Sequence, residues 1–310
     1  MKTLLLTHKA DIDGLTPLIL LNQIRDDIDA QLLNANDIIA KVSELIKTKQ
    51  YAKYDEIYIT DLTIDKPTCE LIMSTGHADK FHVFDHHEFN LIANDYSFGT
   101  AICKNSDGVN ECATSLFYKY LVKVYPETFD NADMQRFVEY VRSIDTWDWS
   151  RTNNTEAKKL DDLHGILGRE KFVGYYTDLF KTKKPFVYTE AQEYLLEVEQ
   201  DRIKRYMEET EKTMFHATLF GHPCGIVFAE QHRSLLGNYL AQKYSYMLDY
   251  IIMINMQQGL SFRCIKDGID LSQFASVYGG GGHIKAAGAP LDNALKREVI
   301  KLILNDDNMF

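Results

Sequence analysis

Four segments of this chain carry residue types that hold hard divalent cations. THKADIDGL, residues 7 to 15, places His8, Asp11 and Asp13 directly after the apolar run Thr3-Leu4-Leu5-Leu6. The run EIYIT ends at Asp61, the run KFHVF ends at Asp85-His86-His87, and SIDTWDW places Asp145 after a helical pattern. Mixed carboxylate and imidazole ligands suit Mn²⁺ or a similar divalent ion better than a thiolate-preferring metal. Carboxylates packed together also require cations to relieve their repulsion. Two such ions about 3.5–4 Å apart activate water for phosphate-ester cleavage. Each segment has a plainer reading on its own: Asp11 or Asp13 could cap a helix beginning near Leu15, and a His-His pair is often surface or core. Taken jointly, three strand ends carrying Asp or His point to one site.

The elements that must position these residues are legible as alternating patterns. Residues 3–7, 30–34, 56–60 and 80–84 read as strands, and residues 14–25, 37–49 and 66–76 as helices between them. Repeated βαβ units predict a doubly wound parallel sheet, whose strand carboxyl ends share one edge with the ligand crevice outside it. Helical patterns continue over 111–124 and 131–144. Residues 189–214 form a long, charged stretch free of Gly and Pro, read as one helix linking two domains. Strands at 217–220, 224–229, 250–256 and 260–265, with a helix at 235–244, predict a smaller mixed α/β domain. The expected division is an α/β catalytic domain over 1–186, a helical linker over 187–214 and a second domain over 215–310.

Composition excludes several classes. The chain has 310 residues, 45% hydrophobic and 25% charged, which is enough for two domains with real cores. A net charge of −11 argues against a broad basic surface gripping long nucleic acid, so an anionic substrate should be short or locally held. The five cysteines include no CxxC pair and read as reduced and structural. The N-terminal apolar run is too short for a signal peptide and no run reaches membrane-spanning length, so a cytoplasmic protein without membrane partners is expected.

The motifs THKADIDG, ITD at Asp61, FDHHEFN, SIDTWDW and YGGGGHIKAAGA, residues 278–289, resemble in order those of the DHH/DHHA1 phosphoesterases. The resemblance spans nearly the whole chain, and within that family it points to the oligoribonuclease branch. It implies two Mn²⁺ ions: one held by His8, Asp11 and Asp61, the other by Asp13, Asp61, His86 and Asp145, with Asp61 bridging and the solvent between them as nucleophile. Asp85 is then a carboxylate that orients a metal-ligating imidazole, and His87 a contact to phosphate or an aid to the leaving group.

In the second domain, Gly279-Gly280-Gly281-Gly282-His283 offers amides unobstructed by side chains beside an imidazole, a way to approach phosphate closely. The following Lys285-Ala286-Ala287-Gly288 reads as a small-residue helix. The resemblance makes Gly280, Gly281, Gly282, His283, Arg263, His232 and Arg233 substrate-contact positions, with Arg263 suited to bidentate phosphate binding. Trp147 and Trp149, the only tryptophans, either pack the core or, for Trp147, wall the substrate cleft.

The expected activity is therefore Mn²⁺-dependent hydrolysis of short RNA or DNA oligonucleotides to mononucleotides. Alternatives are a cyclic (di)nucleotide phosphodiesterase or a 3′,5′-bisphosphoadenosine phosphatase. A pyrophosphatase or polyphosphatase is disfavoured by GGGGH. From another class, a non-catalytic nucleotide- or RNA-binding module would need no pair of metal ions. A homodimer is compatible with the sequence, which does not fix the oligomeric state.

Overall fold

A computed structural model describes residues 1–306, and the chain divides into two compact units between Glu197 and Val198. The first unit opens with β1 (Thr3–His8), α1 (Ile12–Leu21), β2 (Ile28–Leu33), α2 (Ile38–Lys47), β3 (Glu56–Thr60), α3 (Lys66–Met73), β4 (Phe81–Asp85) and β5 (Gly99–Ala101). Its five strands are parallel, in the order β2-β1-β3-β4-β5. In this doubly wound order the strand sequence reverses between β1 and β3, and sheets of this kind bind ligands outside that reversal.

The continuous apolar run in β1 follows from burial on both faces. Leu5 belongs to a core with Ile12, Ile19, Tyr58 and Phe117, whereas Leu4 and Leu6 belong to another with Ile38, Val42, Ile57 and Ile59. Burying each such side chain contributes about 1.5–3 kcal/mol. The rest of the unit is helical: α4 (Ala113–Val124), α5 (Pro126–Phe129), α6 (Ala132–Asp145), α7 (Asp148–Thr152), α8 (Thr155–Leu167) and α9 (Arg169–Lys181). Phe137 of α6 anchors this layer, with ring centroids 4.8 Å from Tyr176, 5.3 Å from Phe180 and 5.2 Å from Phe186. Helix α10 (Glu190–Lys212) continues across the division between the units.

The second unit contains β6 (Phe215–Leu219), β7 (His222–Phe228), α11 (Arg233–Lys243), β8 (Tyr250–Asn255), β9 (Gly259–Arg263), α12 (Leu271–Ser276), β10 (Gly281–His283), β11 (Ala286–Ala289) and α13 (Asn293–Leu304). The sheet order is β10-β11-β9-β8-β7-β6, antiparallel except for the β7–β8 pair. Leu236 and Leu240 of α11 pack with Val227, Ile251 and Met253. Leu271 and Ala275 of α12 pack with Cys224, Tyr250 and Phe262.

The fold corrects one expectation: residues 285–288 are not helical, and Ala286–Ala289 form strand β11 between β10 and β9. Small side chains suggested a helix, but here they permit close backbone approach, since a Cβ on Gly280 would meet Gly288 O at 2.1 Å. Strands β5 and β10, three residues each, are too short to leave a periodic signal. The five cysteines are free. Among the described residues no helix is long and apolar enough to cross a membrane.

Candidate metal centre

The expected ligands arrive at the β1/β3 reversal. His8 ends β1, Asp61 follows β3, Asp85 ends β4 ahead of His86 and His87, and Asp145 ends α6. Helix α1 starts earlier than its sequence pattern indicates. Asp11 is its N-cap, accepting from Gly14 N at 3.0 Å, while Asp13 lies fully buried in the first turn. Gly14 has a packing reason, because a Cβ there would meet His8 O at 2.1 Å. The glycine lets α1 close on the end of β1, and His8 Nδ1 stands 2.9 Å from Asp11 Oδ2. Thr7 Oγ1 donates to Gly14 O at 2.6 Å and Thr60 Oγ1 donates to Thr7 Oγ1 at 2.7 Å, which ties the two strand ends together.

Asp13 does cap a helix, but a different one. Its Oδ2 accepts from Ala113 N at 2.9 Å and its Oδ1 from Thr114 N at 2.8 Å, at the start of α4. Unpaired amides and the helix dipole favour a carboxylate there. Only the tertiary fold brings these donors in, and no local signal marks them in the sequence.

Asp61 takes φ 56°, a left-handed backbone that Asp tolerates better than most side chains. Its Oδ2 lies 3.3 Å from His8 Nδ1 and its Oδ1 lies 3.5 Å from His86 Nε2. His86 Nε2 is in turn 3.5 Å from Asp145 Oδ2 and 3.9 Å from Asp13 Oδ2. Ligand atoms thus gather into neighbouring groups, His8-Asp11-Asp61 and Asp13-His86-Asp145, and a further group joins Asp61, Asp85, His86 and His87.

The electrostatics report crowding. The hydrogen bond to Asp61 outweighs partial burial and raises His8 to about 9. For His86, burial works against the charge, but Asp61, Asp145 and Asp13 overcome it and raise the imidazole to about 10. Burial, then repulsion from Asp61, raises Asp13 to about 6. Burial, then repulsion from Asp13, raises Asp145 to about 8. Asp61 is also penalised by burial, yet the two imidazoles hold it below the usual carboxylate range. His86 Nε2 and Asp145 Oδ2 are both buried without a hydrogen bond among the described residues. Orphaned donor atoms amid an oxygen- and nitrogen-rich set fit hard divalent ions.

Asp85 has a role that differs from the expected one. Its Oδ1 accepts from His86 N at 2.8 Å and sits 2.7 Å from His87 Nδ1, while Oδ2 accepts from Asn90 Nδ2 at 2.7 Å and Thr63 Oγ1 at 3.0 Å. The ring it orients is therefore that of half-exposed His87, and it fixes His86 through the backbone. The carboxylate raises His87 above its ordinary value. Asn90 and Thr63 complete this anchor, and neither had been singled out as a site residue.

Within the second unit, strand pairing sets Arg263 opposite Ala286 and Ala286 opposite His283, so the three form one row across β9, β11 and β10. Arg263 Nη2 donates to Ser234 Oγ at 3.0 Å, Arg233 Nη1 donates to Ser261 Oγ at 3.0 Å, and Arg233 also binds Gln258. Neither arginine forms an ion pair among the described residues. Burial and the neighbouring Arg233 lower the pKa of Arg263. His232 takes φ 49° immediately before α11. In the glycine run, the amides of Gly279 and Gly280 bond to Ser276 O and Ala275 O, so the exposed stretch Gly281–His283 is what β10 presents at the sheet edge. Trp147 does not pack the core, being 53% exposed, whereas Trp149 is half-buried.

Over 268 residues the chain is 34% identical to oligoribonuclease NrnB of Bacillus subtilis, a match covering 86% of this chain and 67% of that protein. No family model matches. The solved structure of the pGpG-specific phosphodiesterase PggH from Vibrio cholerae superposes with a TM-score of 0.54 at 16% identity, covering 98% of each chain, a likeness of fold. An uncharacterized protein from Helicobacter pylori G27 matches at 18% identity and a TM-score of 0.39, over 98% of this chain and 99% of that one.

Proposed function

Since this chain belongs to the DHH/DHHA1 phosphoesterases, we propose that it is a Mn²⁺-dependent phosphodiesterase that hydrolyses short oligonucleotides to mononucleotides. The observation that carries this reading is the division of Asp61, with one carboxylate oxygen toward His8 and the other toward His86. His8, Asp11 and Asp61 would hold one ion, and Asp13, Asp61, His86 and Asp145 a second. When bound, divalent ions in such a set neutralise phosphate charge and supply an acidified water for attack.

The chain's own groups do the rest. Asp13 is immobilised by the α4 amides and Asp61 by its left-handed turn, so the ligand geometry is fixed before substrate arrives. Asp85 turns Nδ1 of His87 inward and leaves the other nitrogen to donate a proton to the departing oxygen or a hydrogen bond to phosphate. Arg233, Arg263, His283 and the amides of Gly281 and Gly282 are the anion-binding groups of the second unit, with Gly280 and His232 shaping the backbone around them. The net charge of −11 favours a short substrate over a long polymer.

The test is a substrate panel of labelled di- to decanucleotides, cyclic dinucleotides, 3′,5′-bisphosphoadenosine and polyphosphate, incubated with Mn²⁺. Preferred cleavage of the shortest linear oligonucleotides supports the reading. Preferred turnover of a cyclic dinucleotide or of the bisphosphate would reassign the substrate, and binding without turnover would make the chain a nucleotide-binding module.

A further inference from the structure

Trp147 is an indole held out to solvent by a turn whose other groups are anchored. Its φ of 60° is a left-handed conformation that disfavours bulky side chains. The turn is fixed by Asp148, which is buried between the two tryptophans in sequence and accepts from Arg142 Nη1 at 2.8 Å and Arg151 Nη2 at 2.7 Å. Trp147 N donates to Ile144 O at 3.1 Å and Ser150 N donates to Trp147 O at 3.2 Å. Trp149 stands beside it, with ring centroids 6.1 Å apart and planes inclined by 32°. Lys158 Nζ lies 5.9 Å from the Trp149 ring on its own account.

A buried ion pair and a strained backbone therefore place a large aromatic side chain that the core does not use. It is two residues from Asp145, a separation of at most about 7 Å along the chain, and Asp145 Oδ2 is itself 3.5 Å from His86 Nε2. The cluster there is acidic, and an aromatic face gives a nucleotide a hold that does not depend on charge. Stacking accepts any base, because every base has a π-face.

Resting on the reading of the chain as an oligonucleotide phosphodiesterase, we propose that Trp147 is a stacking platform for a nucleobase next to the scissile phosphate. It would grip the base without selecting its identity. The platform would contribute to substrate binding and leave the chemistry at the phosphate unchanged.

Trp147→Asn is the informative variant, because Asn removes the ring yet tolerates the left-handed backbone; Trp147→Phe keeps an aromatic face. Both are compared with the wild type on an RNA dinucleotide and on the same phosphodiester with abasic residues in place of both nucleosides, with bound Mn²⁺ measured in parallel. Trp147→Asn should raise KM for the dinucleotide about five- to a hundredfold, leave the abasic substrate and metal content unchanged, and be largely rescued in Trp147→Phe. Equal losses on both substrates, loss of Mn²⁺, or a Phe variant as impaired as the Asn variant would overturn the stacking role. If the wild type cleaves no oligonucleotide at all, the phosphodiesterase reading itself fails and takes this inference with it.

Discussion

His86 Nε2 and Asp145 Oδ2 face each other 3.5 Å apart, both buried and neither hydrogen-bonded among the described residues. Asp13 contrasts with this pair, since backbone amides hold both of its oxygens. Asp145 is thus a candidate ligand whose removal should cost the fold less than that of Asp13.

Asp145→Asn should lose one class of bound Mn²⁺ and most turnover while the metal-free protein melts at the same temperature or higher. The sign follows from the carboxyl, which burial and Asp13 raise to about 8. In EDTA the folded chain keeps a proton on Asp145 that the unfolded chain releases above about pH 4, so the contribution of Asp145 to apoprotein stability falls as pH rises from about 4 to 8. The variant should flatten that fall. Thermal melts in EDTA across this range check it, and a variant as pH-sensitive as the wild type would contradict the assignment.

Asp61→Asn should lower turnover on the order of a thousandfold, because on the proposed reading it removes the carboxylate shared by both ions, and metal ions so held supply several kcal/mol of charge stabilisation. Asn fits the 56° φ of this residue, so circular dichroism should be unchanged. Bound metal, measured by elemental analysis, should fall for both ions together.

Mn²⁺ should stabilise the first unit. A ligand at a hundredfold excess over Kd contributes about 2.7 kcal/mol, which for a domain of this size corresponds to a rise in Tm on the order of 5–10 °C. Asp61→Asn should abolish the rise. Calorimetry with and without the ion gives the comparison.

The glycine run should separate packing from binding. Gly280→Ala would drive a Cβ to within 2.1 Å of Gly288 O, so it should destabilise the second unit by about 1–3 kcal/mol through overpacking. A Cβ on Gly281 meets nothing within 4 Å, and Gly281→Ala should fold normally. Any change in KM for that variant, for His283→Ala or for Arg263→Ala then reports on substrate, and bound Mn²⁺ should be unaffected in all three.

Much of the first unit was legible because β1, β3 and β4 are buried on both faces and read as apolar runs ending in Asp or His. Their parallel pairing then puts His8, Asp61 and Asp85 at one edge without further information. The amides of Ala113 and Thr114 that anchor Asp13 lie about a hundred residues from it in sequence, and only long-range packing reveals them. Asp85 was visible as a carboxylate beside two imidazoles, but which ring it would orient depended on side-chain geometry. Residues 285–288 misled because small residues suit helices as well as close-packed strands, and the strand becomes evident only from its partners β9 and β10. That strand is also what aligns His283 with Arg263.

The most direct test is the initial rate of hydrolysis of a labelled RNA dinucleotide by the wild-type chain as Mn²⁺ is raised from well below saturation. If two ions share Asp61 and both are needed, the rate should climb with the second power of Mn²⁺ concentration before it levels off, with mononucleotides as products. A first-power dependence would contradict the shared two-ion centre, and an intact dinucleotide at saturating Mn²⁺ would contradict the phosphodiesterase itself.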